Sequence, residues 1–393
     1  MSGQTKVHKT IREINDRIRK GQAVVLTAQE MVEAVKSMGK VKAAKEVDVV
    51  TTGTFSPMCS SGLLFNFGQP EPPMIKASKI WLNDVQAYGG LAAVDGYLGA
   101  TEPAGDDPLN KVYPGRFKYG GGHVIEDLVK GKEVALRAMG YGTDCYPRKN
   151  LERTMVLDDF RTAVLLNPRN GYQNYNCAVN LGDKIIYTYM GPLKPRCANA
   201  NYATSGALSP LFNDPHFQTI GLGTKIFLGG GTGWVIGAGT QHNSNPQRNE
   251  RGIPLNPAGT LMVKGDLKNM QARYLRGMSI LGYGCSLSVG LGIPIPVINE
   301  NIAWFTGVSD EDIFLPIVDY GHDYPQGVAG NHGHVSYAQL RSGVIRIKGQ
   351  DRETATVPVT SYVLSLEIAE TLKQWILDQG FTLSEPQELI LSE

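Results

Sequence analysis

The sequence has almost no net charge and no long apolar segment. Its 38 basic and 37 acidic side chains among 393 residues leave a formal net charge of +1. Such a balance gives neither the basic surface expected of a nucleic-acid-binding protein nor that of a membrane-surface protein. No run of about 18 or more apolar residues exists, and the first twenty residues carry charge throughout, unlike a membrane span or a secretory signal. We therefore expect a cytoplasmic protein that binds neither nucleic acid nor membrane.

The sequence also lacks any paired cysteine motif. Its five cysteines, an odd number at irregular spacing, contain no C-x-x-C pair; they are Cys59, Cys145, Cys177, Cys197 and Cys285. A disulfide framework, a structural zinc site and a ferredoxin-type cluster each require cysteines at characteristic spacings. These thiols are therefore expected to be reduced, and no bound metal is predicted.

What is present suits a globular protein with a sizeable core. Hydrophobic residues make up 42% of the chain and charged residues 19%, and the 46 glycines follow no strict period. Isoleucines at helical spacing over 11–18 and an apolar stripe over 361–379 predict a helix near each end. Residues 266–278 are also expected to be helical. The Val-rich segment 47–50 is expected to form a strand.

These patterns predict a mixed α/β (α+β) fold with a glycine-rich sheet core and peripheral N- and C-terminal helices. The expected organisation is an N-terminal helical segment (1–45), an α/β core (46–355) and a C-terminal helix with its tail (356–393). No internal repeat or low-complexity linker separates them, so we expect one compact unit.

Residues 140–149 place a cysteine in a loop with two cations. Glycines and Pro147 prevent a regular helix there, and Arg148 and Lys149 follow Cys145. A nearby cation favours the thiolate, which is the reactive form of cysteine. The segment therefore indicates an activated nucleophile, or alternatively a loop cysteine whose neighbours only hold a turn.

A second cysteine, Cys59, follows a proline within residues 51–62. If a helix began there, its N-terminal dipole would stabilise a thiolate. The alternative is a small buried cysteine, a common location for this residue.

The segment 221–239 is the most glycine-dense part of the chain. Gly230 and Gly231 belong to a run of glycines between two apolar segments, where backbone N–H groups can cradle an anion. The spacings of nucleotide-binding loops are absent, so a β-hairpin lining a pocket is the preferred interpretation. His242 at its end, and His123 after three glycines, are candidate proton donors.

Three further histidines, His322, His332 and His334, lie close in sequence. A metal site would use such residues. Turn residues in the wall of a site are the simpler interpretation.

Several of these segments together resemble a known family. Residues 49–55 and 58–62, 142–148, and 226–231 through 239–242 resemble those of the homocysteine biosynthesis family, the L-aspartate semialdehyde sulfurtransferases. The resemblance covers roughly residues 11–379. It implies an enzyme that converts L-aspartate semialdehyde to L-homocysteine by sulfur transfer. The implied partners are the small-molecule substrate, sulfide and a separate ferredoxin-like iron–sulfur protein that supplies electrons; a homo-oligomer is left open.

The resemblance also implies roles for particular residues. Cys145 corresponds to the cysteine that carries the persulfide, and Cys59 to a supporting or resolving thiol. Residue chemistry adds His123 or His242 as the proton donor and Arg148 as the residue that binds the substrate carboxylate. The remaining predicted substrate-binding residues are Lys149, Thr54, Ser60, Gly230 and Gly231. No bound cofactor is predicted. Some members of the family append paired CBS modules, which this sequence lacks.

Two other functions remain open from the sequence. The protein could be a persulfide carrier that passes sulfur to another acceptor without turnover of its own. It could also be a small-anion binding module whose cysteines are structural.

Overall fold

The computed structural model describes residues 7–322 and 332–390. Its α-helices are α1 Ile11–Arg19, α2 Ala28–Glu46, α3 Gly121–Val129, α4 Pro210–Asn213, α5 Glu300–Thr306, α6 Tyr337–Arg341 and α7 Tyr362–Leu377. The strands are β1 Val25–Thr27, β2 Val49–Thr51, β3 Thr54–Pro57, β4 Gly62–Asn66, β5 Lys79–Leu82, β6 Val85–Tyr88, β7 Asp95–Gly99, β8 Val134–Met139, β9 Asn150–Met155, β10 Thr162–Asn170, β11 Cys177–Val179, β12 Ile186–Thr188, β13 Gly191–Leu193, β14 Asn199–Tyr202, β15 Gly221–Leu222, β16 Lys225–Leu228, β17 Gly231–Ala238, β18 Leu261–Asp266, β19 Leu275–Ile280, β20 Gly284–Gly292, β21 Pro294–Pro296, β22 Phe314–Asp319, β23 His334–Ser336, β24 Val344–Arg346, β25 Glu353–Pro358 and β26 Glu388–Leu389.

Two sheets dominate the described part of the chain. The larger has thirteen strands in the order β19-β20-β16-β17-β18-β10-β4-β7-β6-β5-β8-β9, with β3 paired to β20. The second has six strands in the order β23-β22-β11-β14-β25-β24 and includes the parallel pairs β11–β22 and β14–β25. Helices and strands in mixed sheets confirm the predicted α+β class.

The sequence accounts locally for the terminal helices. Thr10 and Glu13 form a capping box at the start of α1, which buries Ile14 and Ile18. The side chain of Ser361 accepts a hydrogen bond from the backbone N–H of Leu364 and begins α7. Both predicted helices are confirmed to within a few residues of their expected bounds.

Two local predictions are corrected by the structure. Residues 266–278 are not helical: β18 ends at Asp266, a short 3₁₀ turn follows, and β19 begins at Leu275. The apolar residues Leu267 and Leu275 are both buried, but Leu267 lies in the 3₁₀ turn and Leu275 lies in β19. No helix begins at Cys59 either, because the following residues enter β4.

The glycine-rich segment forms the expected hairpin. Strands β16 and β17 pair antiparallel, with Leu228 opposite Gly231. Gly229 and Gly230 have φ values of +59° and +93°, which favour glycine. Strand β20 beside this hairpin is buried along its whole length and lies at the centre of the core.

Candidate functional site

A cavity of about 250 Å³ lies where the larger sheet meets the six-stranded sheet. Its walls come from segments far apart in sequence. The lining residues are Thr54, Ser56, Pro57, Met58, Cys59, Arg169, Tyr172, Tyr175, Tyr189, Met190, Ala203, Thr204, Ser209, Gln241, Tyr283 and Val359. The cavity thus brings together a thiol, a guanidinium group and four tyrosines.

Cys59 is half-buried in the turn between β3 and β4. The turn is fixed because the backbone N–H of Met58 donates to the Leu287 carbonyl at 2.8 Å and that of Ser61 donates to the Met58 carbonyl at 2.9 Å. The Ser286 hydroxyl donates to the Cys59 Sγ at 3.2 Å. Burial raises the pKa of the Cys59 thiol, against the opposing effects of Ser286 and of the Arg169 charge. The environment therefore favours the thiol over the thiolate.

Arg169 supplies the guanidinium group of the cavity. The β10–β18 register shifts between Asn167 and Asn170, and such irregularities redirect a side chain. One guanidinium nitrogen donates to the Gln241 side-chain oxygen, while the Arg169 Nε is buried without a hydrogen-bond partner. Arg169 is the one cation among the described residues that line the cavity, so the cavity suits an anionic ligand.

Three tyrosine hydroxyls form a chain beside the cavity. The Tyr175 hydroxyl donates to that of Tyr189 at 2.6 Å, and the hydroxyls of Tyr189 and Tyr320 lie 2.7 Å apart. Burial, and then the neighbouring Tyr175 and Tyr320, hold the pKa of Tyr189 far above its ordinary value. The Tyr189 hydroxyl therefore stays protonated.

Thr204 in the same wall has an uncommon backbone conformation. Its φ is +82°, in a region that a β-branched residue rarely adopts. Its carbonyl accepts a bond from the Tyr337 hydroxyl at 2.8 Å, which helps to hold this conformation. Strain of this kind concentrates at functional sites.

Cys145 lies elsewhere, on an exposed hairpin loop between β8 and β9. Its Sγ is 3.7 Å from the Thr143 hydroxyl, and Thr143 and Tyr146 close the turn with backbone bonds. Arg148 does not face the cavity: its guanidinium donates to the backbone carbonyls of Glu71 and Pro72.

The two cysteines lie at opposite ends of the larger sheet's strands. Four antiparallel pairings, through β7, β6 and β5, connect β4 to β8, so these two strands run in the same direction. Cys59 precedes the start of β4, whereas Cys145 follows the end of β8. Four strand spacings correspond to about 19 Å across a flat sheet. The structure therefore does not bring these two thiols together in one chain.

The two candidate histidines also lie outside the cavity lining. The Nε2 of His123 is 3.3 Å from the Ser279 hydroxyl, its ring stacks on Tyr119, and burial lowers its pKa. The Nδ1 of His242 lies 2.8 Å from the Thr260 carbonyl oxygen and 3.1 Å from the Thr260 backbone nitrogen.

The remaining predicted residues divide between the cavity and the rest of the surface. Thr54 lines the cavity, and the Ser60 hydroxyl donates to the Arg169 carbonyl at 3.3 Å. Lys149 is exposed beside Cys145. A Cβ on Gly230 would lie 2.9 Å from the Tyr274 ring, and one on Gly231 would lie 2.6 Å from the Asn269 carbonyl. These two glycines therefore allow close packing within the sheet.

Sequence reasoning missed the polar groups around Cys59. Arg169 lies in the segment 167–171, Asn-Pro-Arg-Asn-Gly, whose residue types indicate only a turn, and Tyr172 and Tyr175 follow it in a Tyr- and Asn-rich segment without a recognised motif. The available signal was a cation in a loop flanked by aromatic residues. This signal did not indicate which cysteine would lie near the cation in the folded protein.

Among the described residues no group of three or more His, Cys, Asp and Glu side chains could hold a metal ion. His322 binds Asp319 through its Nδ1 at 2.6 Å, and the stretch from Asp323 to Asn331 lies outside the described residues. Within 7–322 and 332–390, no helix is both long and apolar enough to cross a membrane.

A family profile described as "Homocysteine biosynthesis enzyme, sulfur-incorporation" matches residues 23–383. The chain belongs to the homocysteine biosynthesis family. It is therefore an enzyme of sulfur incorporation, as the resemblance of its two cysteine segments implied.

Two relatives are identical to this chain at about half of the aligned positions. A protein of Methanocaldococcus jannaschii named L-aspartate semialdehyde sulfurtransferase is 51% identical over 390 residues, which span 96% of this chain and 72% of that protein. A protein of the same name from Methanosarcina acetivorans is 49% identical over 390 residues, 98% of this chain and 73% of that protein. No solved structure matches the chain.

Proposed function

We propose that this member of the homocysteine biosynthesis family converts L-aspartate semialdehyde to L-homocysteine, and that the carbon–sulfur bond forms in the cavity beside Cys59. The names of two relatives at about 50% identity support the substrate. The observation that carries the site is that Cys59 and Arg169 line one cavity of about 250 Å³. This volume suits a metabolite with few heavy atoms.

The charge of the cavity matches one end of the substrate. Arg169 binds the α-carboxylate, because it is the one cation among the described residues that line the cavity. Cys59 then lies on the wall that faces the aldehyde. Gln241 orients the guanidinium by accepting one of its bonds.

The proposed reaction begins with a persulfide on Cys59. Its terminal sulfur attacks the aldehyde carbon, the C=O double bond opens, and the oxygen takes up a proton to give a hydroxyl adduct. Two electrons and two protons then replace the hydroxyl by hydrogen and release water. Two more electrons and protons cleave the sulfur–sulfur bond, which leaves the Cys59 thiol and the thiol of homocysteine. All four electrons come from a separate iron–sulfur protein of the ferredoxin type.

Cys145 has a different part in this proposal. Its exposed hairpin is accessible to a sulfur donor, so we assign to it the persulfide that receives incoming sulfur. Because Cys59 lies at the other end of the strands, sulfur reaches the cavity by exchange between the Cys145 persulfide of one copy and the Cys59 thiol of a second copy. Thiol–persulfide exchange consumes no electrons.

The test compares Cys59→Ser and Cys145→Ser with the unsubstituted protein. Homocysteine formation is measured from L-aspartate semialdehyde, a strong reductant and a sulfane-sulfur donor, which is either inorganic polysulfide or a protein persulfide. We expect Cys59→Ser to abolish product with both donors and Cys145→Ser to lose it with the protein persulfide alone, because the small polysulfide can enter the cavity directly. Persulfide on each cysteine is followed by mass spectrometry.

Two outcomes contradict the proposal in different ways. Full activity of Cys59→Ser together with loss of activity in Cys145→Ser would indicate that the carbon–sulfur bond forms at Cys145 on the hairpin. Persulfide formation without homocysteine in the unsubstituted protein would indicate a sulfur carrier. Circular dichroism and thermal unfolding of each variant control for loss of fold.

A further inference from the structure

The two residues that the proposed function assigns to the substrate lie on different elements. Cys59 is in the turn between β3 and β4, and Arg169 is near the end of β10. Arg169 holds the carboxylate while sulfur on Cys59 attacks the aldehyde, so the reaction requires a fixed distance between these two residues. Asn167, two residues before Arg169, makes the contacts that join the two elements.

Asn167 continues the connection between β10 and β4 beyond their last backbone pair. Antiparallel pairing of these strands ends with Leu166 opposite Gly62. At the next position, the Asn167 side-chain amide donates to the Ser61 hydroxyl at 2.9 Å. The exposed fractions of Asn167 and Ser61 are 0% and 1%, so water does not compete for this hydrogen bond.

The side-chain oxygen of Asn167 makes the connection to Arg169. It accepts from the backbone N–H of Arg169 at 3.0 Å. The hydroxyl of Ser60, the residue after Cys59, lies 3.3 Å from both this oxygen and the Arg169 carbonyl oxygen, so its hydrogen is shared between them. The β10–β18 register shifts between Asn167 and Asn170, and Arg169 has no partner residue in that ladder. One side chain therefore holds both the thiol-bearing turn and the residue that carries the guanidinium group.

Resting on the proposed function, we propose that Asn167 is the positioning residue that sets the distance between the Cys59 thiol and the Arg169 guanidinium group. Asn167 is not one of the described residues that line the cavity, so it acts through the bonds above and not on the substrate. Asparagine suits this role because its amide offers donors and an acceptor at once. A leucine of similar size offers neither.

The first test measures the coupling between Cys59 and Arg169 and does not depend on catalysis. Iodoacetamide alkylation of Cys59 at pH 8 is compared in the unsubstituted protein, in Arg169→Gln, in Asn167→Ala and in the double variant. The influence of a charge on a thiol decreases as the two move apart. We expect Arg169→Gln to slow alkylation, and to change the rate by less than about half as much when Asn167→Ala is also present. An equal effect of Arg169→Gln in both backgrounds overturns the proposal.

The second test measures homocysteine formation. Misplacement of reacting groups by about 1 Å can lower a rate by about 100-fold, so we expect kcat in Asn167→Ala to fall by roughly 10- to 100-fold. The affinity for L-2-aminobutyrate, a substrate analogue with a methyl group in place of the aldehyde, should change less than about threefold, because Arg169 keeps its bond to Gln241. Unchanged kcat overturns the proposal. Equal losses of kcat and of this affinity also overturn it, because they indicate that the cavity itself is lost.

Asn15→Ala is the matched control. Asn15 is also buried, and its side chain bonds to the backbone N–H and the carbonyl of Leu383, outside the cavity lining. Its replacement should lower Tm, as that of Asn167 does, but leave kcat and the alkylation of Cys59 unchanged. Equal losses of kcat in the two variants overturn the proposal, because they indicate a general effect of stability.

Ser61→Ala is the milder variant and tests the same bond if Asn167→Ala does not fold. It removes one of the bonds of Asn167, so we expect kcat to fall by about fivefold. Unchanged kcat in Ser61→Ala overturns the proposal. Absence of homocysteine from the unsubstituted protein overturns the proposed function, and the alkylation test then decides separately whether Asn167 sets the distance between the thiol and the guanidinium group.

Discussion

Replacement of Arg169 should weaken substrate binding far more than replacement of Arg148. Arg169 is the one cation among the described residues that line the cavity, and its guanidinium donates to the Gln241 side-chain oxygen. A hydrogen bond to a charged group contributes about 1.5–3 kcal/mol. Loss of one such bond in Arg169→Gln corresponds to a KM for L-aspartate semialdehyde that is higher by roughly 10- to 150-fold.

The same substitution should also affect the Cys59 thiol. The Arg169 charge lowers the pKa of Cys59, so its removal raises that pKa and decreases the thiolate fraction at a given pH. Iodoacetamide should therefore modify Cys59 more slowly in Arg169→Gln at pH 8. Arg169→Lys retains the charge and should restore the alkylation rate, but not the KM, because lysine cannot bind a carboxylate in the bidentate manner of arginine.

Steady-state kinetics with Arg148→Gln provide the control. The Arg148 guanidinium is already bonded to the carbonyls of Glu71 and Pro72 on the protein surface. Its replacement should leave KM unchanged. A raised KM in Arg148→Gln, with an ordinary KM in Arg169→Gln, would refute the assignment of the carboxylate site and return it to the hairpin.

Three further predictions concern the thiols and the fold. The first is a pH series of alkylation followed by peptide mass spectrometry, in which exposed Cys145 should react first. Burial raises the pKa of Cys59, so Cys59 should react later and its rate should still increase above pH 8.5. Equal pH profiles for the two cysteines would contradict the burial argument. Gly53→Ala should lower Tm by several degrees, because its Cβ would lie 2.0 Å from the Ser365 carbonyl oxygen, whereas Gly99→Ala, with nothing within 4 Å, should not. Asp48→Ala should lower the free energy of unfolding in urea by about 3–5 kcal/mol, because this buried carboxylate pairs with Lys9 and Arg17. A decrease below about 1 kcal/mol would show that these ion pairs are dispensable.

The elements that the sequence predicted correctly are those whose signals are local. The capping box of Thr10 with Glu13 and the isoleucine spacing that follows determine α1 without reference to the rest of the chain. The glycines at 229–230 similarly determine the β16–β17 hairpin. Residues 266–278 were assigned wrongly because their apolar residues pack against strands distant in sequence, and tertiary contacts override a weak helical pattern.

The candidate site was predicted only in part, for the same reason. The family resemblance identified both cysteine segments, and Cys59 and Thr54 do line the cavity. Arg169 and Tyr189 could not be assigned to it, because an irregular register of β10 and contacts between segments distant in sequence place them at the cavity. Neither the register of β10 nor the approach of the six-stranded sheet is encoded in a short pattern. The roles of Cys145 and the two histidines stay predictions.

The wide separation in sequence of the cavity residues has a consequence for how the protein folds. Thr54 and Val359 face the same cavity although about three hundred residues lie between them. Contacts of this kind require closure of long loops, which slows folding in proteins of high contact order. The thiol of Cys59 therefore remains outside any binding site until late in folding. An unprotected thiol can be oxidised and unpaired strands can aggregate, so slow folding leaves both exposed to the cell for longer.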